Sequence, residues 1–568
     1  MKTIFKYIKP QLPLMAFGFT VKFIGTITEL FLPLLLSKIL DEFVPAENVR
    51  LIYLGGAAMI LCAGVCLFTN IFANRLSTKT SRNVTRRVRS DLFEKITLLS
   101  CSQADSFTVP SLISRMTSDT YHLHQMVDRI QRIGVRAPIM LIGGIIVSFL
   151  LDPIMALVLI SLMPILAVIV WLVSKYGIKL FTEAQKKLDK MLKRAQESMV
   201  GIRVIQALSK EQFENNQFAE ANRDVVLQEK RASMLMNITS PVMNLLLNFG
   251  LTFVVIVGAY RVNGAKMQPG AMIAFLSYFT LMLTAVMMIS RIFMMISKGT
   301  ASARRISQIL DAPAQLETED IAVVSTDNHI EFDNVTFSYD KKRANVENIS
   351  FELKQGESIG IIGPTGSGKS TLIWLLMRFY DADTGCIRIN GRNVKSIPKD
   401  ELHSIFGVAI QNDFLFSGTI RDNIDFHRDI DEVAFNDAIE AAQAEFIALR
   451  EGGVDGTIAS KGVDISGGQK QRTLISRALA GNPKILILDD SSSALDYKTD
   501  SKLRRALAKE YGDITKIIIA QRVSSIKNCT KIMMLDDGKI LGYGTHDQLM
   551  QSCEAYKEIA LLQMEEVE

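Results

Sequence analysis

Six stretches of roughly twenty mainly apolar residues, the length a helix needs to cross a bilayer, dominate the first half of the chain, at about 13–37, 51–73, 134–151, 154–174, 237–260 and 271–296. The connections between them alternate in character. DEFVPAENVR between the first two is short, acidic and Pro-containing, Asp152-Pro153 is almost no loop, and RVNGAKMQPG closes a third hairpin. The segments from Arg75 to Arg132 and from Lys175 to Arg231 are instead long, helical in period and rich in Lys and Arg. Compact domains rarely carry connections of that length without structure, so they read as spans prolonged as helices into water. Basic flanks favour the cytoplasmic side, which places both termini and both long connections inside a cell bounded by this plasma membrane. Lys2, Lys6 and Lys9 precede the first apolar run, which continues past Leu36 without a small-residue cleavage pattern. That run is therefore expected to be a retained span rather than a removable leader.

The pattern changes in the second half. Residues 1–300 form the transmembrane part, 301–328 a polar linker with the acidic, Pro-broken ISQILDAPAQLETED, and 329–568 a region of strand-length apolar runs alternating with helices, the signature of an α/β domain. The expected fold is a six-helix all-α transmembrane domain with long helical extensions, followed by an α/β nucleotide-binding domain. Composition adds that 48% of residues are hydrophobic and that 64 Lys plus Arg stand against 59 Asp plus Glu. The balance is too even for a nucleic-acid binder, and the spans exclude a soluble ATPase. The six cysteines, Cys62, Cys66, Cys101, Cys386, Cys529 and Cys553, have no paired metal spacing and read as reduced thiols.

One motif carries explicit chemistry. GPTGSGKST, from Gly363 to Thr371, lies between the strand-like ESIGII and the helix-like TLIWLLMRF, the context a phosphate-binding loop requires. Glycines let backbone N–H groups wrap phosphates, Lys369 reaches the outer ones and Ser370 offers its hydroxyl to Mg²⁺. Further on, ISGGQ at Ile465–Gln469 opens a helical pattern, and the apolar run Ile485–Leu488 leads into Asp489 and Asp490.

The order of this loop, then QNDFLFSGTIRDNI, ISGGQ, ILILDD and SALD, behind six spans, resembles a half-transporter of the multidrug ATP-binding cassette (ABC) exporter family, over essentially the whole chain. The resemblance implies ATP and Mg²⁺ bound by Gly363, Thr365, Gly366, Ser367, Gly368, Lys369, Ser370 and Thr371, with Tyr339 stacking on adenine. Gln411 and Asp489 would join Ser370 around Mg²⁺, partly through water. Ser466, Gly467, Gly468 and Gln469 would form the signature that meets a partner's ATP, and Ser493, Ala494, Leu495 and Asp496 the D-loop. Residues Ser106–Thr120 and Glu197–Gln212 resemble segments that contain or neighbour the family's coupling helices.

Two positions depart from that family. Glu normally follows the Walker B aspartate to polarise the attacking water, and Asp490 stands there. Its shorter arm puts the carboxylate about an ångström or more from where a general base must reach, and misplacement on that scale costs roughly 10²-fold. The switch-loop His is replaced by Gln521 in KIIIAQRVSSI, an amide that donates hydrogen bonds but relays no proton. None of His122, His124, His329, His403, His427 and His546 is near enough in sequence to substitute, and His546 suits a loop or cap role. SKGVD at Ser460–Asp464 also stands where the family often has an acidic ERG-like run. Both hydrolytic positions are altered while the binding positions remain. The expectation is a subunit of a heterodimeric exporter, with a slow site of its own and an intact signature completing the partner's; that partner would have the Walker B Glu and the switch His.

The expected cargo is small and amphipathic, with a defined lipid or peptide cargo, or a non-transporting ATP-gated regulator or channel, as alternatives. Polar groups within spans are costly and should face a cavity or a partner: Lys22, Glu29, Arg136, Asn248 and Arg291 are the candidates, with Lys22 and Glu29 on one helix face. The last span is rich in Met (Met282, Met287, Met288, Met294, Met295), which suits either a ligand surface that repacks or ordinary helix packing.

Overall fold

The computed structural model describes residues 2–313, 316–411, 413–491 and 493–565. The chain divides into two compact units, one of residues 1–97 and 108–313, the other of residues 98–107 and 314–568.

The first unit is all helix. Its long helices are α1 (Leu12–Lys38), α2 (Val49–Thr97), α3 (Thr120–Leu151), α4 (Pro153–Val200), α5 (Glu211–Asn263) and α6 (Pro269–Leu310). Among the described residues, five stretches are long and apolar enough to cross a membrane: Lys2–Phe43, Val49–Thr97, Val109–Leu151, Asn244–Asn263 and Pro269–Leu310. The remaining predicted span, about 154–174, falls in α4, whose described apolar part is the shorter Pro153–Ile165. At 49 residues, α2 is about 70 Å long, more than twice the hydrocarbon thickness of roughly 30 Å, so spans do continue as helices well past the membrane. The second basic connection breaks only for the short helix Ile202–Ala207, between α4 and α5.

Packing inside this unit resolves several of the intramembrane polar residues. Lys22 is 4% exposed, and its Nζ donates to Asn70 Oδ1 at 2.6 Å and Asn74 Oδ1 at 3.3 Å, both on α2. Glu29 pairs across helices with Arg136 at 2.6 Å, so its cross-helix partner is an arginine on α3 rather than Lys22. Asn248 bonds back to Asn244 O of its own helix, and Arg291 is exposed. Met282 is fully buried with Met155, Phe275 and Tyr278, which makes it a packing residue; the Met294 side chain lies outside the described residues. Asp152, the whole connection between α3 and α4, does two jobs. Oδ1 caps α4 by accepting from the backbone N–H groups of Ile154 (2.9 Å) and Met155 (3.0 Å). Oδ2 accepts two bonds from the Arg261 guanidinium of α5, at 2.9 and 2.6 Å.

In the second unit, β1 (Ile330–Phe337), β2 (Val346–Leu353), β4 (Thr384–Ile389) and β5 (Arg392–Asn393) form an antiparallel sheet in the order β2-β1-β4-β5. A larger sheet contains β3 (Ser358–Ile362), β6 (Phe406–Ala409), β9 (Ile485–Asp489), β10 (Thr515–Ile519), β11 (Lys531–Asp536) and β12 (Lys539–Gly544), in the order β12-β11-β3-β10-β9-β6. All but β12 run parallel. A two-stranded antiparallel ladder of β7 (Gly418–Thr419) and β8 (Thr457–Ile458) forms a third, small sheet. Parallel strands are covered on both faces and therefore read as unbroken apolar runs; every residue of β9 is buried. The short helix Cys101–Phe107 belongs to this unit, where Asp105 Oδ2 accepts from Tyr380 Oη at 2.5 Å. It overlaps the predicted Ser106–Thr120 segment only at Ser106 and Phe107.

Replacing Asp152 by Ala removes a helix cap and leaves the mostly buried Arg261 guanidinium without its anion, so the protein in detergent is expected to lose about 3–5 kcal/mol of stability in a denaturation series. Asp152→Asn, which keeps a capping oxygen, should lose less.

Candidate nucleotide site

Strand order positions the site. β3 runs into Gly363, β10 leads to Gln521, β9 ends at Asp489 and β6 leads to Gln411. Because β3, β10, β9 and β6 are parallel neighbours, these four segments leave the sheet at its carboxyl edge, where open α/β sheets hold ligands.

The loop after β3 turns through Gly363 (φ +155°), Gly366 (φ +86°) and Gly368 (φ +99°). A Cβ at Gly363 would stand 1.9 Å from the Leu535 carbonyl oxygen, and one at Gly368 2.7 Å from that of Asn345. Backbone packing therefore requires glycine at both. Helix α7 (Lys369–Leu376) follows, and Lys369 Nζ folds over the loop, donating to the carbonyls of Gly363 (2.8 Å) and Pro364 (2.7 Å). Burial lowers its pKa, opposed by Asp489 and Asp490. The Ser367 hydroxyl is buried without a hydrogen-bond partner, and the space beside Gly366 is open. An orphan hydroxyl, an ammonium and an open, glycine-rich turn suit a phosphate chain. Thr365 lines the same mouth, beside Lys369 and Gln521.

Ser370 Oγ donates to Asp489 Oδ2 at 2.7 Å. A hydroxyl and a carboxylate side by side suit Mg²⁺, which takes oxygen ligands and keeps several waters. Among the described residues no cluster of three or more His, Cys, Asp or Glu could hold a metal, so such an ion would lean on phosphate oxygens as well. Asp489 is 4% exposed; burial pushes its pKa up, Ser370 pulls it back and Asp490 adds to the rise.

Asp490 is the structural hub. Its Oδ2 accepts from Gln411 Nε2 at 2.8 Å and from Gln521 Nε2 at 3.0 Å. Burial raises its pKa against the pull of those amides and of Lys369. Its backbone is left-handed (φ +48°), a conformation that Asp tolerates better than most residues, and its N–H donates to Ile519 O at 2.9 Å. The histidines with described bonds are engaged elsewhere: His329 with Thr515, His403 with the Met377 carbonyl, His124 with Thr85, and His546, the first residue of a short helix, with Tyr556.

Tyr339, just past β1, is 42% exposed. It packs edge-on against Phe337, Tyr380 and Trp374 at centroid distances of 4.8, 5.1 and 6.2 Å, and its hydroxyl donates to Thr371 Oγ1 at 3.3 Å. Edge-on neighbours hold the ring and leave its exposed surface for stacking.

Ser466 caps helix α8 (Gly467–Ala480) in a reciprocal box: its Oγ accepts from the Gln469 N–H, and Gln469 Oε1 accepts from the Ser466 N–H at 3.0 Å. The D-loop lies on this helix start. A Cβ at Gly468 would come within 3.2 Å of the Ala494 carbonyl oxygen, and one at Gly467 within 3.6 Å of Ala494 Cβ. Leu495 is buried, and Asp496 caps helix α9 (Tyr497–Glu510) through the Thr499 N–H. Gln471 ties these pieces together and was not singled out by sequence. Its Nε2 donates to the Asp490 carbonyl at 3.1 Å, and its Oε1 accepts from the Ala494 N–H at 3.0 Å. Ser493 Oγ donates to the same Asp490 carbonyl at 2.9 Å. The only signal available was a polar residue two places after ISGGQ. In the SKGVD run, Asp464 accepts from Arg450 at 2.6 Å and from the Ala459 N–H at 3.0 Å, so that acidic group serves the loop itself.

Comparison with known proteins identifies the family. The profile of the ABC transporter transmembrane region matches residues 15–286, and a second profile, described as ABC transporter, matches residues 346–493. An uncharacterised ABC transporter ATP-binding protein of Mycobacterium tuberculosis is 32% identical over 566 residues, 98% of this chain and 97% of its own. The Bacillus subtilis protein YfiB, described in the same words, is 32% identical over 564 residues, 98% of each. A bacterial Atm1-family ABC exporter solved with ATP bound superposes with a TM-score of 0.83 at 23% identity, covering 97% of this chain and 98% of that one, which establishes the shared fold. The chain thus belongs to the ABC transporter family, as a half-transporter whose transmembrane region precedes its ATP-binding region.

Proposed function

We propose that this chain is one half of an asymmetric ATP-driven exporter of small amphipathic compounds, a multi-pass plasma-membrane protein with its termini and ATP-binding region in the cytoplasm. Its own site retains ATP and Mg²⁺ and turns ATP over slowly. Its ISGGQ segment completes the site of a different half-transporter, which carries Glu and His at the two altered positions.

The observation that carries this reading is the hydrogen bonding of Asp490. A general base must reach the proton that it takes. Here the carboxylate is a methylene short, and its Oδ2 is held by the Gln411 and Gln521 amides. Gln521 can donate to a terminal phosphate, yet it has no titratable proton. The binding side is whole: Lys369 and the loop N–H groups hold the phosphates, Ser370 and Asp489 the metal, and Gln411 keeps its amide oxygen for the same ion while its nitrogen holds Asp490. Mg²⁺, when bound, neutralises phosphate charge and orients the outer phosphates. The capped α8 start, with Ser466 and two glycines, supplies N–H groups suited to an anion arriving from another chain.

The purified chain alone is expected to hydrolyse ATP about 10²-fold or more slowly than the co-expressed pair. Cargo-stimulated turnover by the lone chain at the rate of the pair would refute the asymmetric reading. Asp490→Glu together with Gln521→His should raise turnover at this chain's site, measured with the partner's own Walker B Glu neutralised, provided that the partner's signature is intact. Lys369→Ala should weaken retention of radiolabelled ATP by about tenfold or more, the worth of one charged hydrogen bond.

A further inference from the structure

At the amino-terminal edge of the large sheet, the end away from the phosphate loop, a cavity of about 510 Å³ opens between α9, the start of β10 and the short helix Val523–Ile526. Arg504, Arg505, Lys516 and Lys527 line it, and no carboxylate does. Arg504 is compensated from outside the cavity by Asp500 at 2.8 Å. The other three have no ion pair among the described residues. Lys516 is 8% exposed, and its Nζ donates to backbone carbonyls, Ile514 at 3.1 Å and Gly512 at 3.5 Å; Cys529 and then Asp513 act on it through space without an ion pair.

A surface lysine in water needs no explanation. A desolvated ammonium that has carbonyl dipoles and a neutral thiol beside it, with two further cations around one cavity, lacks an anion. The cavity volume lies within the range of about 300–1,000 Å³ usual for small-molecule sites. Leu507 and Ile518 give it apolar wall for the uncharged body of a ligand. Cys529, also on the lining, is held as a neutral thiol, its pKa pushed up to about 11 by burial, so it contributes a hydrogen-bonding group rather than a nucleophile.

We propose that this cavity binds a small phosphorylated metabolite of sugar-phosphate size, its phosphate taken by Lys516 and Lys527, with Arg505 at the rim. Lys527 follows Gln521 on one short segment, so an occupant would fix the stretch of chain that holds Asp490. The site stands independently of the asymmetric-pair reading.

The test is calorimetric titration of the full-length protein in detergent with fructose 1,6-bisphosphate, and separately with inorganic phosphate, while saturating Mg²⁺ and a slowly hydrolysed ATP analogue fill the nucleotide loop. Saturable binding of the bisphosphate is expected, weakened about tenfold or more in Arg505→Glu/Lys527→Glu. Both of those residues are exposed, and an unchanged melting temperature would verify folding. Absence of saturable binding to the native protein would overturn the proposal. So would equal affinity in the folded charge-reversal variant.

Discussion

Two adjacent carboxylates buried at the end of a parallel strand are the constraint around which the nucleotide site is arranged. A buried charge must be hydrogen-bonded or paired, and β9 delivers Asp489 and Asp490 with 4% and 7% exposure. Each recruits a different part of the site: Asp489 takes the Ser370 hydroxyl from α7, and Asp490 takes the amides that follow β6 and β10. Those segments are pinned at the carboxyl edge by polar necessity as much as by apolar packing, and the strand order makes the pinning possible.

The phosphate loop, the ISGGQ cap and the acid pair were legible in the sequence because each is local, with glycines, a cap box or an apolar run directly beside it. The meeting of Gln411 with Asp490 was not. Those residues are 79 positions apart, and their proximity follows from β6 lying beside β9, which no short-range pattern encodes. Gln471 was missed for the same reason: its partners lie beyond its own helix. In the transmembrane region, hydropathy found five of the six expected spans among the described residues, and their continuation as long helices. The partners of the intramembrane charges depend on helix neighbours, so Glu29 meets Arg136 and Lys22 meets two asparagines. The Cys101–Phe107 helix, CSQADSF, is only seven residues long and has no apolar stripe to mark it, so hydropathy does not single it out.

Economy of connection marks the transmembrane unit. Asp152 is a turn, a helix cap and a counter-ion in one residue, which fixes the hairpin of α3 and α4 against α5 without a loop. Polar groups within spans are tolerated where hydrogen bonds complete them, as the asparagine amides do for Lys22.

The Gln471 amide grips the backbone of Asp490 with its nitrogen and that of Ala494 with its oxygen, from a helix whose first turn is closed by the Ser466–Gln469 box. A displacement of the loop after β9 is thereby handed to the start of α8 through one side chain, with no change needed in the sheet between them.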